Sequence, residues 1–140
     1  MTQVVIAVML VVVAGAIALV ARRRMQTEPP TQPAFEVPSQ LDRNDFTDPA
    51  APWLVAVFSS DSCDACALVV AKAVALQSTE VAVQELPYQR ERTLHDRYRI
   101  QAVPTLVLAD ADGVVRYHVL GPVTATDLWA AVATARDAQG

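Results

Sequence analysis

Apolar residues are distributed in two distinct ways along this chain. From Val4 to Ala21 they form an unbroken run of 18 residues without a charge. As a helix at about 1.5 Å per residue this run measures about 27 Å, enough to cross the hydrocarbon core of a bilayer. Further on, apolar residues return only in short blocks separated by polar turns. The uncharged block Trp53–Ser59 predicts a central strand buried on both faces. Ala67–Leu76 predicts the body of a helix running from about Cys63 to Gln77, and Glu80–Leu86 alternates as a second core strand. Arg90–Tyr98 predicts a polar helix with Leu94 and Tyr98 facing inward. Thr105–Ala109 and Val114–Val119 predict a hairpin around Asp110-Ala111-Asp112-Gly113, with its glycine placed for positive φ. Thr124–Asp127 has the form of a helix cap and first turn, with Leu128 and Val132 as the buried positions that follow. Gln40–Phe46 is a short first strand or an irregular lead-in, because Asp42, Asn44 and Asp45 are poor strand formers. The resulting class is α/β, a mixed sheet with helices on both faces.

Charge order gives the first segment a direction. Arg22-Arg23-Arg24 follow the apolar run at once, whereas Met1-Thr2-Gln3 carry no charged side chain. A secretory signal has the opposite order. Basic residues stay on the cytoplasmic side, so the N-terminus is expected outside and the rest of the chain inside. A cleaved signal with an extracytoplasmic domain is the alternative, supported by the small residues Ala14-Gly15-Ala16. The next stretch, Glu28-Pro29-Pro30 through Val37-Pro38, is proline-rich and expected to act as an extended tether at about 3.1 Å per residue. The organisation expected is a transmembrane helix over 3–21, a basic then proline-rich linker over 22–39, and a folded domain over 40–140. From Met25 onward there are eight basic and fifteen acidic residues, a net of −7. Such a domain lacks the basic stripe that nucleic acid requires and is repelled by an anionic leaflet.

The chemistry concentrates in Cys63-Asp64-Ala65-Cys66, which holds both cysteines of the chain. They fall where the Trp53 strand hands over to the helix. There, unpaired N–H groups and the helix dipole favour a thiolate at the first sulfur. Two sulfurs on one helical turn can close a small disulfide. The same residues could be two buried small hydrophobes, or half of a metal site. Tetrahedral zinc needs four ligands, and His95 and His118 lie far off in sequence, so no metal is expected. Both histidines are read as surface residues, and Trp129 as core or half-buried packing on the last helix.

Four segments at fixed intervals carry a family likeness: the apolar strand into Cys63-x-x-Cys66; Tyr98-Arg-Ile-Gln-Ala-Val-Pro-Thr105; Leu106–Ala109; and Asp112-Gly-Val-Val-Arg116 with Gly121 and Asp127–Val132. From about Leu54 to Ala135 the chain resembles the thioredoxin family. The resemblance implies a thioredoxin-like fold in which Cys63 is the nucleophile and Cys66 resolves the mixed disulfide. It implies a cis peptide before Pro104 and a substrate-binding loop formed by Val103, Pro104 and Thr105, the Val103 backbone pairing with an extended substrate. It implies no cofactor beyond the redox-active Cys63–Cys66 disulfide, with protein disulfides as substrates and an unidentified thiol reductant upstream. Three positions depart from the family. Ser62 stands where tryptophan is usual, and Asp64-Ala65 where Gly-Pro is. Val57 replaces a buried aspartate, with Glu85 at the lysine position of the neighbouring strand. Glu85 is read either as buried beside Val57, carrying the proton of Cys66, or as a strand-end residue pointing to water. The function expected is a membrane-tethered thiol–disulfide oxidoreductase, reducing because a cytosolic face is kept reduced. A non-catalytic thioredoxin-like scaffold for a membrane partner is the alternative.

Overall fold

Seven consecutive residues without a charge, Trp53–Ser59, form strand β1, and all seven are buried. A strand of this kind is stable only if both faces are covered, and alternate side chains do enter two separate clusters. Val55 and Val57 pack with Val69, Ala73, Leu106, Leu128 and Val132. Leu54, Ala56 and Phe58 pack on the other side with Leu41, Phe46, Leu86 and Tyr98. The structure is a computed structural model and describes residues 9, 13, 15 and 35–138. The chain divides into two units, 1–34 and 35–140. Apart from those three positions, the span expected over 3–21 and the linker as far as residue 34 lie outside the described residues. Among the described residues no helix is long and apolar enough to cross a membrane.

The second unit is built around β1. Helix α1 (Asp64–Val74) follows it, then β2 (Val81–Pro87), the short α2 (Arg92–Arg97), β3 (Thr105–Ala109), β4 (Val115–Leu120) and α3 (Ala125–Asp137). The sheet order is β2-β1-β3-β4. β2 lies parallel to β1, whereas β3 runs antiparallel to β1, and β4 antiparallel to β3. The C-terminal ends of β1 and β2 and the start of β3 therefore meet at one end of the sheet. Helix α3 begins as the sequence implies, the Thr124 hydroxyl accepting from the Asp127 N–H at 3.1 Å.

Gln40–Phe46 is the irregular lead-in and not the strand: only Gln40 bridges to Val114, and Arg43–Asp45 make a 3-10 turn whose cap, Asp42, accepts from the Asn44 N–H. Short Asp and Asn side chains satisfy local backbone groups in this way instead of joining a ladder. His95 is buried, not at the surface. Its Nε2 lies 2.7 Å from the Leu86 carbonyl and its ring meets Phe58 and Tyr88 edge-on. Trp129 is 54% exposed, because α3 turns only Leu128 and Val132 fully inward and the next residue points a quarter-turn away.

The lead-in segment is fastened by polar groups. Arg43 is buried and donates to the Asp110 and Ala51 carbonyls at 2.8 and 2.9 Å. The Tyr98 hydroxyl accepts from the Asp42 N–H at 3.0 Å and donates to Asp45. Burial and the Asp45 carboxylate push that hydroxyl up to about 12. In the hairpin, Gly113 has φ +79°, and a Cβ there would lie 2.0 Å from the Leu41 carbonyl oxygen.

Asp110 closes this hairpin. Its carboxylate accepts from the N–H groups of Asp112 and Val114 at 3.0 and 2.9 Å and from Arg116 Nε at 2.7 Å. Burial alone raises its pKa, but Arg116 and the two N–H groups outweigh burial and hold it below the ordinary value of 3.8. A folded pKa below the unfolded one stabilises above the unfolded pKa, and the contribution is lost as pH falls through the folded pKa. Asp110→Ala is expected to lower unfolding free energy by about 1–3 kcal/mol at neutral pH and to flatten the acid-side loss of stability below about pH 4. Urea midpoints of both proteins across that range check this. Parallel acid limbs would contradict it.

Candidate functional site

At the end of β1 the chain becomes polar, Ser59-Ser60-Asp61-Ser62, and reverses into α1. The Cys63 N–H donates to the Ser60 carbonyl at 3.0 Å, closing the turn. Cys63 is the N-cap of α1, in extended backbone with φ −107° and ψ 100°, and its Sγ accepts from the Cys66 N–H at 3.2 Å. Cys63 and Cys66 are joined by a disulfide with S–S 2.12 Å and Cα–Cα 5.3 Å. The two sulfurs differ in exposure. Cys63 is half-buried, whereas Cys66 is 2% exposed because Cys66, Val69 and Ala73 form the face that α1 presents to the sheet. Asp64, Asp61 and Ser62 are exposed around it. A cap sulfur aimed at free helix N–H groups is where a thiolate is stabilised.

The strand register brings the third element to the same end. β3 begins at Thr105, opposite Phe58, so Val103 and Pro104 lie just beyond the end of β1. The Val103–Pro104 peptide is cis. Its loop is fixed by the Gly121 N–H, which donates to the Pro104 carbonyl at 2.8 Å, and by the buried Thr105, whose hydroxyl donates to the Ala102 carbonyl at 2.7 Å. Gly121 has φ +88°, a conformation that favours glycine. Among the described residues nothing takes up the Val103 N–H or C=O, and Val103 is half-buried. An extended chain passing the disulfide could pair there as a short strand.

Glu85 sits opposite Val57 in the parallel register, as the sequence comparison of the two positions implies. It is exposed, so of the two readings of its environment the structure gives the one that points to water and corrects the buried one. Its Oε1 accepts from the hydroxyl of Ser59 at 2.7 Å. Ser59, fully buried, was missed by sequence reasoning. Its signal was available: a hydroxyl ending an otherwise apolar strand needs a partner. Among the described residues no three His, Cys, Asp or Glu side chains cluster as metal ligands would. A groove of about 640 Å³ lined by Arg116, Tyr117, Asp127 and Thr134 contains none of these site residues.

Comparison with known proteins places this geometry. Residues 40–136 match the thioredoxin-like domain family, and the chain belongs to that family. A mutant thioredoxin from Halobacterium salinarum is 30% identical, with TM-score 0.50, over 66% of this chain and 80% of that one. Oxidized mitochondrial thioredoxin 3 from Saccharomyces cerevisiae is 20% identical, with TM-score 0.53, over 66% and 85%. A malarial protein is 17% identical, with TM-score 0.55, over 59% and 96%. The last two likenesses show the fold alone. No curated protein sequence matches the chain. The fold and the Cys63–Cys66 pair together are those of a redox protein of the thioredoxin kind.

Proposed function

We propose that the protein is a membrane-tethered thiol–disulfide oxidoreductase that reduces disulfides of membrane-adjacent partners through Cys63 and Cys66. The observation that carries this reading is the asymmetry of the pair: a half-exposed cap sulfur bonded to a buried one, beside the unpaired Val103 backbone. In the reduced protein the Cys63 thiolate attacks a substrate sulfur, forming a mixed disulfide and expelling one substrate thiolate, which takes a proton from water. Cys66 then loses its proton and attacks the Cys63 sulfur. The Cys63–Cys66 disulfide forms and the second substrate thiol leaves. The substrate gains two electrons and two protons, and an upstream dithiol of unspecified identity restores the pair. The Ser59 hydroxyl and the Glu85 carboxylate offer a route for the Cys66 proton to water, since Ser59 is buried on the face that α1 covers and Glu85 reaches solvent.

Two measurements test this. On a small aromatic disulfide, the reduced protein is expected to release both aromatic thiols. Cys63→Ser should release none, Cys66→Ser should stop after one and hold the other, and Glu85→Gln should slow the second release about tenfold or more. An unaltered second step removes Glu85 from the mechanism. A native protein inert toward the disulfide would instead favour the scaffold reading. The tether reading rests on the apolar run and the arginines behind it. Thiol labelling of intact cells is expected with a membrane-permeant reagent only; labelling by an impermeant one would put the domain on the opposite face.

A further inference from the structure

The turn that carries Cys63 has no apolar anchor. Ser60, Asp61 and Ser62 are all polar, and the latter two are exposed. What holds it is the segment after β2. The Tyr88 N–H donates to the Ser59 carbonyl at 2.9 Å, continuing the parallel ladder one step beyond the strand. The next residue, Gln89, then uses both ends of its amide. Its Oε1 accepts from the Asp61 N–H at 3.1 Å and its Nε2 donates to the Ser60 hydroxyl at 3.0 Å. A backbone N–H can only donate, so the amide orientation is fixed by its partners. The Ser60 hydroxyl in turn lies 3.2 Å from that of Ser62. Gln89 has firm footing, because the Arg90 and Glu91 N–H groups both bond the Pro87 carbonyl. Arg90 adds only a looser contact to Asp61, 3.7 Å between two largely exposed groups.

We propose that Gln89 is a positioning residue for Cys63: its two hydrogen bonds hold the Ser60–Ser62 turn so that the Cys63 sulfur stays at the N-terminus of α1 when the disulfide is open. This rests on the reading of Cys63 as the nucleophile. Once the disulfide is reduced, the sulfur is placed only by the turn before it and the helix after it. Helix-terminus stabilisation falls off within one turn, so a turn that drifts costs thiolate character. The charged groups on the segments around Cys63 include Asp61 and Asp64 on its own turn, Lys72 in the last turn of α1, where it bonds the Val123 carbonyl, and Glu85, Arg90 and Glu91 on the β2 side. The stretch from Ala102 to Ala109 carries none. Changing a neutral glutamine leaves all of these in place.

The test is site-resolved alkylation of Cys63 by iodoacetamide against pH, on the reduced full chain, for the native protein, Gln89→Ala and Gln89→Met. Methionine keeps the bulk and loses both hydrogen bonds, so it separates bonding from packing. In both variants the neutral-pH rate is expected to fall about two- to five-fold, the size of a surface helix-terminus interaction, and the profile to move to higher pH. The urea midpoint should not move. Profiles that coincide with the native one, or a shift accompanied by loss of folded stability, would overturn the proposal. Alkylation needs no disulfide substrate. A shifted profile in a protein that turns over no disulfide therefore keeps the clamp and loses the oxidoreductase, and a coincident profile in an active protein does the reverse.

Discussion

The whole arrangement depends on β1 being buried on both faces. Its apolar side chains contribute on the order of 1.5–3 kcal/mol each when fully removed from water, and they can do so only if two layers close over it. α1 and α3 cover one side, and α2 with the lead-in segment covers the other. Such a strand cannot carry chemistry along its length. The polar groups are displaced to its C-terminal end, where Ser59, the Cys63 turn, the Tyr88–Gln89 segment and the Pro104 loop converge because β2 is parallel and β3 antiparallel to it.

At that end, one helix start gives two identical side chains opposite properties. Cys63 caps the helix and meets solvent, whereas Cys66, one turn on, belongs to the buried face with Val69 and Ala73. In the proposed mechanism this difference gives attack to Cys63 and resolution to Cys66. Hydrogen bonds hold the surroundings where apolar packing would otherwise do so. Gln89 fastens the turn, Gly121 and Thr105 fix the Pro104 loop, and Ser59 links the buried face to Glu85.

Much of this was legible in the chain because it rests on local signals. The uncharged block at Trp53, the spacing of Leu128 and Val132, the Asp-Gly turn and the cap at Thr124 each express a periodicity or a backbone requirement. The cysteine pair at a strand-to-helix boundary was legible for the same reason. What was not legible involved partners distant in sequence. Arg43 is buried because the Asp110 carbonyl, 67 residues on, receives it. His95 is buried because α2 lays it against Phe58 and the Leu86 carbonyl. Glu85 was placed correctly beside Val57, but its exposure depends on how much of the sheet edge α1 covers, which no local pattern records. Gln89 had no signal at all, since a glutamine in a turn is ordinarily solvated.

The central claim is that the Cys63–Cys66 bond is a working dithiol couple and not a structural staple. The direct measurement is its redox equilibrium in the folded protein, read by thiol alkylation across a series of dithiol buffers. Placement at a helix N-terminus with one sulfur accessible predicts rapid, reversible two-electron exchange, with a potential above about −300 mV, in the range of thiol–disulfide exchange proteins. A bond that resists reduction until the domain unfolds would contradict the account and make the disulfide structural.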